Sequence, residues 1–187
     1  METFFKQINI PDFHDIQKEL IDLVDIDSKK LTHAYSVDEK IIIQKCPIFT
    51  NWLFSKKKMP IRAYRFYITE PYGKLGPHID GTKTLRSPFG LNIPLKNYNN
   101  TYMHFYDCPE ENIKNLFKNG YLGGCVPKDK HALVEKCKLE LINPYFVRND
   151  IMHSISNPNP TYRIIFTVRW ILHPTKGRTI QEVFNID

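Results

Sequence analysis

Tyr162-Arg163-Ile164-Ile165-Phe166-Thr167-Val168-Arg169-Trp170 is the stretch on which the fold turns. Read as a β-strand, it alternates: Ile164, Phe166, Val168 and Trp170 share one face, and Arg163, Ile165, Thr167 and Arg169 share the other. The first face is continuously apolar and must be buried. The second leaves two readings open, a half-exposed edge strand with solvated arginines or a strand buried on both sides. In the second case an inward guanidinium needs an anionic partner, because burying an unpaired charge costs several kcal/mol. A dicarboxylate is such a partner, gripped by the planar bidentate fork that arginine offers.

Outward from this stretch the chain reads as many short strands separated by turns. Residues 61–68, 89–95, 101–106, 132–141, 145–147 and 151–155 carry β-branched and aromatic content, and the final strand spans 162–172. Turn chemistry separates them in Pro71-Tyr72-Gly73-Lys74-Leu75-Gly76, Lys96-Asn97-Tyr98-Asn99-Asn100, Asn143-Pro144, Asn149-Asp150 and Asn157-Pro158-Asn159-Pro160. Near the N-terminus, residues 4–8 suit a short strand. Pro11 then opens a helix with Asp12 in its first turn and an apolar stripe of Phe13, Ile16, Leu20 and Leu23. Ile41-Ile42-Ile43 suits a buried strand, and 109–117 a short helix with proline and acids at its start. The pattern implies a mainly β protein, a sandwich or jelly-roll barrel with a few flanking helices. We expect one domain over 1–187, with its core at about 61–172 and the N-terminal helix and strands packed outside.

Bulk composition narrows the class. With 187 residues, 42% hydrophobic and 25% charged, the chain matches an ordinary globular domain with ample length for a core. No apolar run approaches the ~20 residues that span a bilayer, and the N-terminus lacks the pattern of a signal peptide, so a cytoplasmic location is expected. Cys46, Cys108, Cys125 and Cys137 are irregularly spaced, which indicates reduced thiols rather than a zinc site or a disulfide framework. The net charge of +6 is spread along the chain apart from Lys56-Lys57-Lys58, so charge by itself selects no partner.

Chemistry concentrates in Pro77-His78-Ile79-Asp80-Gly81. On or just after a strand, alternation puts His78 and Asp80 on one face with Ile79 opposite. An imidazole beside a carboxylate supplies two of the three ligands of a 2-His-1-carboxylate triad, which leaves open positions on a non-haem Fe(II). Of the seven histidines, His153 fits best as the third ligand, because a turn at Asn149-Asp150 presents it after the apolar Ile151 and Met152.

The ordered set His78-x-Asp80, then His153, then Arg163 ten residues later resembles the 2-oxoglutarate/Fe(II)-dependent oxygenases over roughly residues 61–170. Together with Leu91-Asn92-Ile93-Pro94-Leu95 and Asn100-Thr101-Tyr102, it is similar to the prolyl-hydroxylase-like or phage-type branch. The resemblance implies a double-stranded β-helix (jelly-roll, cupin-like) core with Fe(II) held by His78, Asp80 and His153. It implies 2-oxoglutarate as co-substrate, its distal carboxylate on Arg163 with help from Thr167 or a tyrosine of the Tyr64/Tyr67 strand, and Asn92 as a further hydrogen-bonding partner. O2 is the second co-substrate, and the products are succinate, CO2 and, by default, a hydroxylated small molecule or protein side chain.

Arg169, on the same strand face, is the alternative anchor for 2-oxoglutarate, and it opens a second reading. Arg163 and Arg169 with Thr167 between them are similar to a pair found in nucleic-acid demethylating dioxygenases, although Ile165 stands where those enzymes usually carry asparagine. Trp52, Tyr72 and Tyr98 are the aromatics available to stack on an extruded base. A third reading is a non-catalytic jelly-roll binding module. The loops expected to shape the mouth, and with it the substrate, are 46–60, 82–88 and 118–130.

Overall fold

The computed structural model describes residues 4–24, 34–56, 61–81, 89–118 and 121–170. In chain order these form β1 (Phe5–Gln7), α1 (Phe13–Ile21), β2 (Ala34–Val37), α2 (Glu39–Lys45), α3 (Pro47–Lys56), β3 (Ile61–Thr69), β4 (Lys74–His78), β5 (Phe89–Lys96) and β6 (Tyr102–Asp107). A single 3-10 turn at Glu110–Asn112 precedes β7 (Ile113–Lys118), β8 (Tyr121–Pro127), β9 (Val134–Glu140), β10 (Tyr145–Arg148), β11 (His153–Ser156) and β12 (Arg163–Trp170).

Among the described residues the strands form a large sheet in the order β1-β10-β5-β12-β3-β2, a small sheet in the order β4-β11-β6-β9, and the separate hairpin β7-β8. The chain passes from sheet to sheet: β3, β5, β10 and β12 lie in the large sheet, and β4, β6, β9 and β11 in the small one. Every pairing is antiparallel. Two facing sheets that interleave four strands each in this way are a double-stranded β-helix, or jelly roll. The N-terminal strands β1 and β2 are the edges of the large sheet itself, while the helices pack outside it.

β12 is central rather than an edge, lying between β3 and β5 with all eight residues buried. The edge-strand reading with solvated arginines is thereby overturned. Ile164, Phe166, Val168 and Trp170 face outward into a core completed by Ile16 and Leu20 of α1, Ile42 of α2 and Phe49 and Leu53 of α3. Phe166 meets Phe49 edge-on at 5.4 Å and Phe66 at 5.1 Å. Glu19 of α1 holds α3 in place, its two carboxylate oxygens accepting from the backbone N–H groups of Ile48 (3.0 Å) and Phe49 (3.1 Å) at the helix start. The opposite face of β12 looks into the space between the two sheets.

Four local expectations need correction. Ile41-Ile42-Ile43 lies in helix α2, whose start is capped by the Asp38 carboxylate accepting from Lys40 N; Ile42 is buried, while Ile41 and Ile43 face outward. Residues 113–117 belong to strand β7, because the turn at Glu110–Asn112 stops after three residues and β8 supplies a ladder partner. Lys74 to Gly76, read as turn, already belongs to β4, where pairing with β11 overrides the glycine and proline content. The segment 46–60 does not line a mouth where it is described: α3 packs on the outer face of the large sheet. Residues 57–60, 82–88 and 171–172 lie outside the described residues. Among those described, no helix is long and apolar enough to cross a membrane.

Candidate metal centre

β4 and β11 are neighbours in the small sheet, and their register places His78 directly opposite His153, with ring centroids 4.3 Å apart. Asp80 follows β4 in a segment clamped on two sides. Ile79 exchanges both backbone hydrogen bonds with Cys125 of β8, at 2.8 and 3.0 Å, and Asp80 N donates to Asn149 O at 3.0 Å. Gly124 makes this approach possible: its φ of 135° disfavours other residues, and a Cβ there would sit 2.8 Å from Ile79 O. One imidazole nitrogen from each histidine and one carboxylate oxygen of Asp80 thus lie within 4.8 Å of one another. His78 Nε2 is 3.9 Å from Asp80 Oδ1, and His153 Nε2 is 4.0 Å from Asp80 Oδ2.

The donor chemistry of this cluster fits a metal. His78 Nδ1 lies 2.9 Å from Gly76 O and His153 Nδ1 lies 2.8 Å from Ile151 O. A carbonyl can only accept, so each Nδ1 carries a hydrogen and each Nε2 is the atom turned toward Asp80, the tautomer in which an imidazole ligates through Nε2. Burial, reinforced by the neighbouring His78, pushes the His153 imidazole down to about 3, so it is neutral near pH 7. For Asp80, burial opposes ionisation, but the Arg169 guanidinium together with His153 and His78 outweighs it and holds the carboxyl well below the usual range. Two imidazoles and an ionised carboxylate are a set suited to a divalent first-row ion.

The two arginines of β12 are placed very differently. Arg169 is engaged: its Nη1 donates to Asp80 Oδ2, its Nη2 lies 3.3 Å from Tyr67 Oη, and its guanidinium lies 5.6 Å from the Tyr67 ring centre. Arg163 is 1% exposed, and the contact it makes is a long one, Nη1 to Thr69 Oγ1 at 3.4 Å. Its Nε and Nη2 have no hydrogen-bond partner among the described residues. These two atoms form the same edge of the guanidinium with which Arg148 grips Asp150 bidentately, at 2.7 and 2.8 Å. Burial alone, with no compensating anion, lowers the Arg163 guanidinium to about 10. A buried guanidinium edge of this geometry is suited to a carboxylate.

One cavity of about 290 Å³ connects the two features, lined by His78 and His153 as well as by Arg163, Arg169, Tyr67, Thr69, Asn92 and Thr167. The strand alternation explains the membership. Tyr67 and Thr69 face inward from β3, whereas Tyr64 faces outward, stacks on Phe166 and reaches Glu39. Tyr64 is therefore removed as a site residue. Asn92 and Thr167 are bonded to each other, Thr167 Oγ1 donating to Asn92 Oδ1 at 2.8 Å. Two residues beside the site escaped the sequence reading, Thr69 and Asn149. Asn149 carried a signal as the turn residue four places before His153.

The three candidates for base stacking lie elsewhere. Trp52 packs beside Phe49 behind the large sheet. Tyr72 and Tyr98 occupy the turns after β3 and β5, at the Arg163 end of β12 rather than the Asp80 end. A second polar constellation occupies the outer face of the small sheet, where Ser156 Oγ, His104 and Glu135 line up with contacts of 3.0 and 3.1 Å. It resembles a hydrolytic relay, but β11 is paired on both sides and Asn157 N is spent on Gly73 O. No backbone donor is left there for an oxyanion, so it reads as a cross-strand polar ladder.

No protein-family model matches the chain, and no curated protein matches it in sequence. Solved structures do match in shape. AviO1 from Streptomyces viridochromogenes Tue57 aligns over 95% of this chain and 93% of its own, with a TM-score of 0.50 and 14% identity. The non-heme alpha-ketoglutarate-dependent carbocyclase SnoK from nogalamycin biosynthesis aligns over 91% of this chain and 80% of its own, with a TM-score of 0.58 and 11% identity. At such identities the likeness is one of architecture: the chain has the jelly-roll fold of these proteins.

Proposed function

We propose that the chain is an Fe(II)- and 2-oxoglutarate-dependent oxygenase, with His78, Asp80 and His153 holding the metal and Arg163 holding the distal carboxylate of the co-substrate. The observation that carries this reading is a single cavity lined in one part by His78 and His153, which cluster with the Asp80 carboxylate, and in another by a buried arginine fork without a partner among the described residues. When bound, the metal and 2-oxoglutarate supply the oxidation, in which O2 is consumed, succinate and CO2 are released and one oxygen atom passes to the substrate. The residues of the chain bind and orient. The backbone carbonyls of Gly76 and Ile151 hold the two imidazoles in the ligating tautomer. Arg169 keeps Asp80 ionised, and Tyr67 steadies Arg169. Arg163 selects a dianion, because a mono-acid would leave its fork unpaired. Asn92 and Thr167, tied together on the wall between, limit the width available to the co-substrate. The substrate class we favour is a small molecule or a protein side chain, with hydroxylation the default outcome. The three aromatics available for stacking on a base all lie away from the ligand cluster, which weighs against the nucleic-acid demethylase reading.

The test is anaerobic addition of Fe(II) and then 2-oxoglutarate, followed in the visible range. A weak charge-transfer band that appears with both components and is lost in His78→Ala supports the proposal. No band from the native chain, with no divalent ion taken up, leaves the binding-module reading in its place.

A further inference from the structure

Asn149 lies in the short crossing between β10 of the large sheet and β11, the strand that carries His153, and it is 1% exposed. It bears on Asp80 by two routes, one direct and one through Arg169. Its backbone carbonyl accepts from Asp80 N at 3.0 Å. With its amide turned so that the oxygen meets the donors around it, its side chain accepts from Arg169 Nη1 at 2.6 Å and from Gly90 N at 3.0 Å. That same Nη1 is the atom donating to Asp80 Oδ2. One buried side chain therefore fixes the guanidinium that fixes the carboxylate, while its main chain fixes the backbone beneath it. Gly90 completes the arrangement, since a Cβ there would lie 2.6 Å from the Asn149 amide atom that, so turned, is the oxygen, and would force the side chain away.

We infer that Asn149 is a positioning residue for the metal centre, setting divalent-ion affinity through Arg169 and Asp80 without itself touching the ion. This rests on the proposal that His78, Asp80 and His153 form a metal site. Partners that orient a metal-ligating group commonly change affinity by ten- to a hundredfold when removed. A buried asparagine serving the fold alone would change stability and leave affinity where it was.

The experiment measures Mn(II) affinity of the metal-free chain by competition, and 2-oxoglutarate affinity separately at saturating Mn(II). Asn149→Ala, which keeps the backbone carbonyl, is expected to weaken Mn(II) about tenfold or more, with less than a threefold change toward 2-oxoglutarate. Asn149→Asp, which keeps an acceptor for both donors, is expected to recover most of the metal affinity. Gly90→Ala, whose Cβ meets Asn149 most closely and Thr167 and Arg169 at 3.3 and 3.4 Å, should reproduce the loss, and combining it with Asn149→Ala should add little, because the main contact each removes is the same. Phe166→Ala serves as the control, lowering stability while leaving Mn(II) affinity unchanged. If Asn149→Ala fails to fold, Gly90→Ala decides alone. Mn(II) affinity within twofold of native in a folded variant overturns the inference while the metal site stands. A native chain that binds no Mn(II), indistinguishable from His78→Ala, overturns the site and the inference together.

Discussion

Replacing Arg163 by methionine should move stability and binding in opposite directions. Among the described residues the guanidinium is buried with one long hydrogen bond and two nitrogens without partners. Exchanging a buried charge for an apolar side chain of similar length is commonly neutral or stabilising by about 1–4 kcal/mol, against about 1 kcal/mol lost with the Thr69 contact. A chain of this size gains about 2–4 °C in unfolding midpoint per kcal/mol, so Arg163→Met should melt at the native temperature or several degrees higher. Binding goes the other way. Truncating one partner of a buried, hydrogen-bonded charge pair costs about 2–5 kcal/mol, which weakens 2-oxoglutarate by roughly 30-fold to several thousandfold. Thermal unfolding of the metal-free chain and an anaerobic titration of the Fe(II)-loaded chain with 2-oxoglutarate read the two effects separately. A variant that melts well below the native chain and still binds 2-oxoglutarate would show that Arg163 is a structural strut, and the anchor assignment would fall.

Further outcomes follow from the same geometry. Arg169→Met should weaken divalent-metal affinity by about tenfold or more and affect 2-oxoglutarate binding to the metal-loaded chain far less than Arg163→Met does; the reverse order in calorimetry would transfer the anchor role to Arg169. His153 titrates near 3 in the folded chain and near 6.5 when unfolded, so between those values the unfolded state holds the extra proton. The metal-free chain should therefore lose stability, by up to several kcal/mol, as pH falls from about 6.5 toward 3; a denaturant midpoint flat across that window would contradict the buried, neutral imidazole. Phe166→Ala empties a fully buried site between α3 and the large sheet and should cost about 3–5 kcal/mol in chemical denaturation. A loss below 1 kcal/mol would mean that the helices do not seal that face.

Which features were legible in the sequence follows from the range of the interactions involved. β12 could be read because alternation is a local property, and its two faces meet two different environments, helices outside and the cavity inside. The pair His78 and Asp80 is likewise local, and the spacing from His153 to Arg163 follows from the turn and strand between them. α2 was hidden because three consecutive isoleucines satisfy a strand pattern, whereas only the middle one is buried and the Asp38 cap decides the outcome. β4 was hidden because its pairing with β11 supplies the stability that a glycine- and proline-bearing segment lacks on its own. Asn149 carries the local signature of a turn residue, which it is. Its contacts to Arg169 and Gly90 arise when three distant strands converge, and no local pattern carries that information.

The most direct test is a crystal structure of the chain grown anaerobically with Mn(II) and 2-oxoglutarate. The expected result is an anomalous peak bonded to His78 Nε2, His153 Nε2 and the Asp80 carboxylate, with the co-substrate's distal carboxylate on Arg163 Nε and Nη2. A cavity without metal at saturating Mn(II), or a carboxylate seated elsewhere than on Arg163, would contradict it.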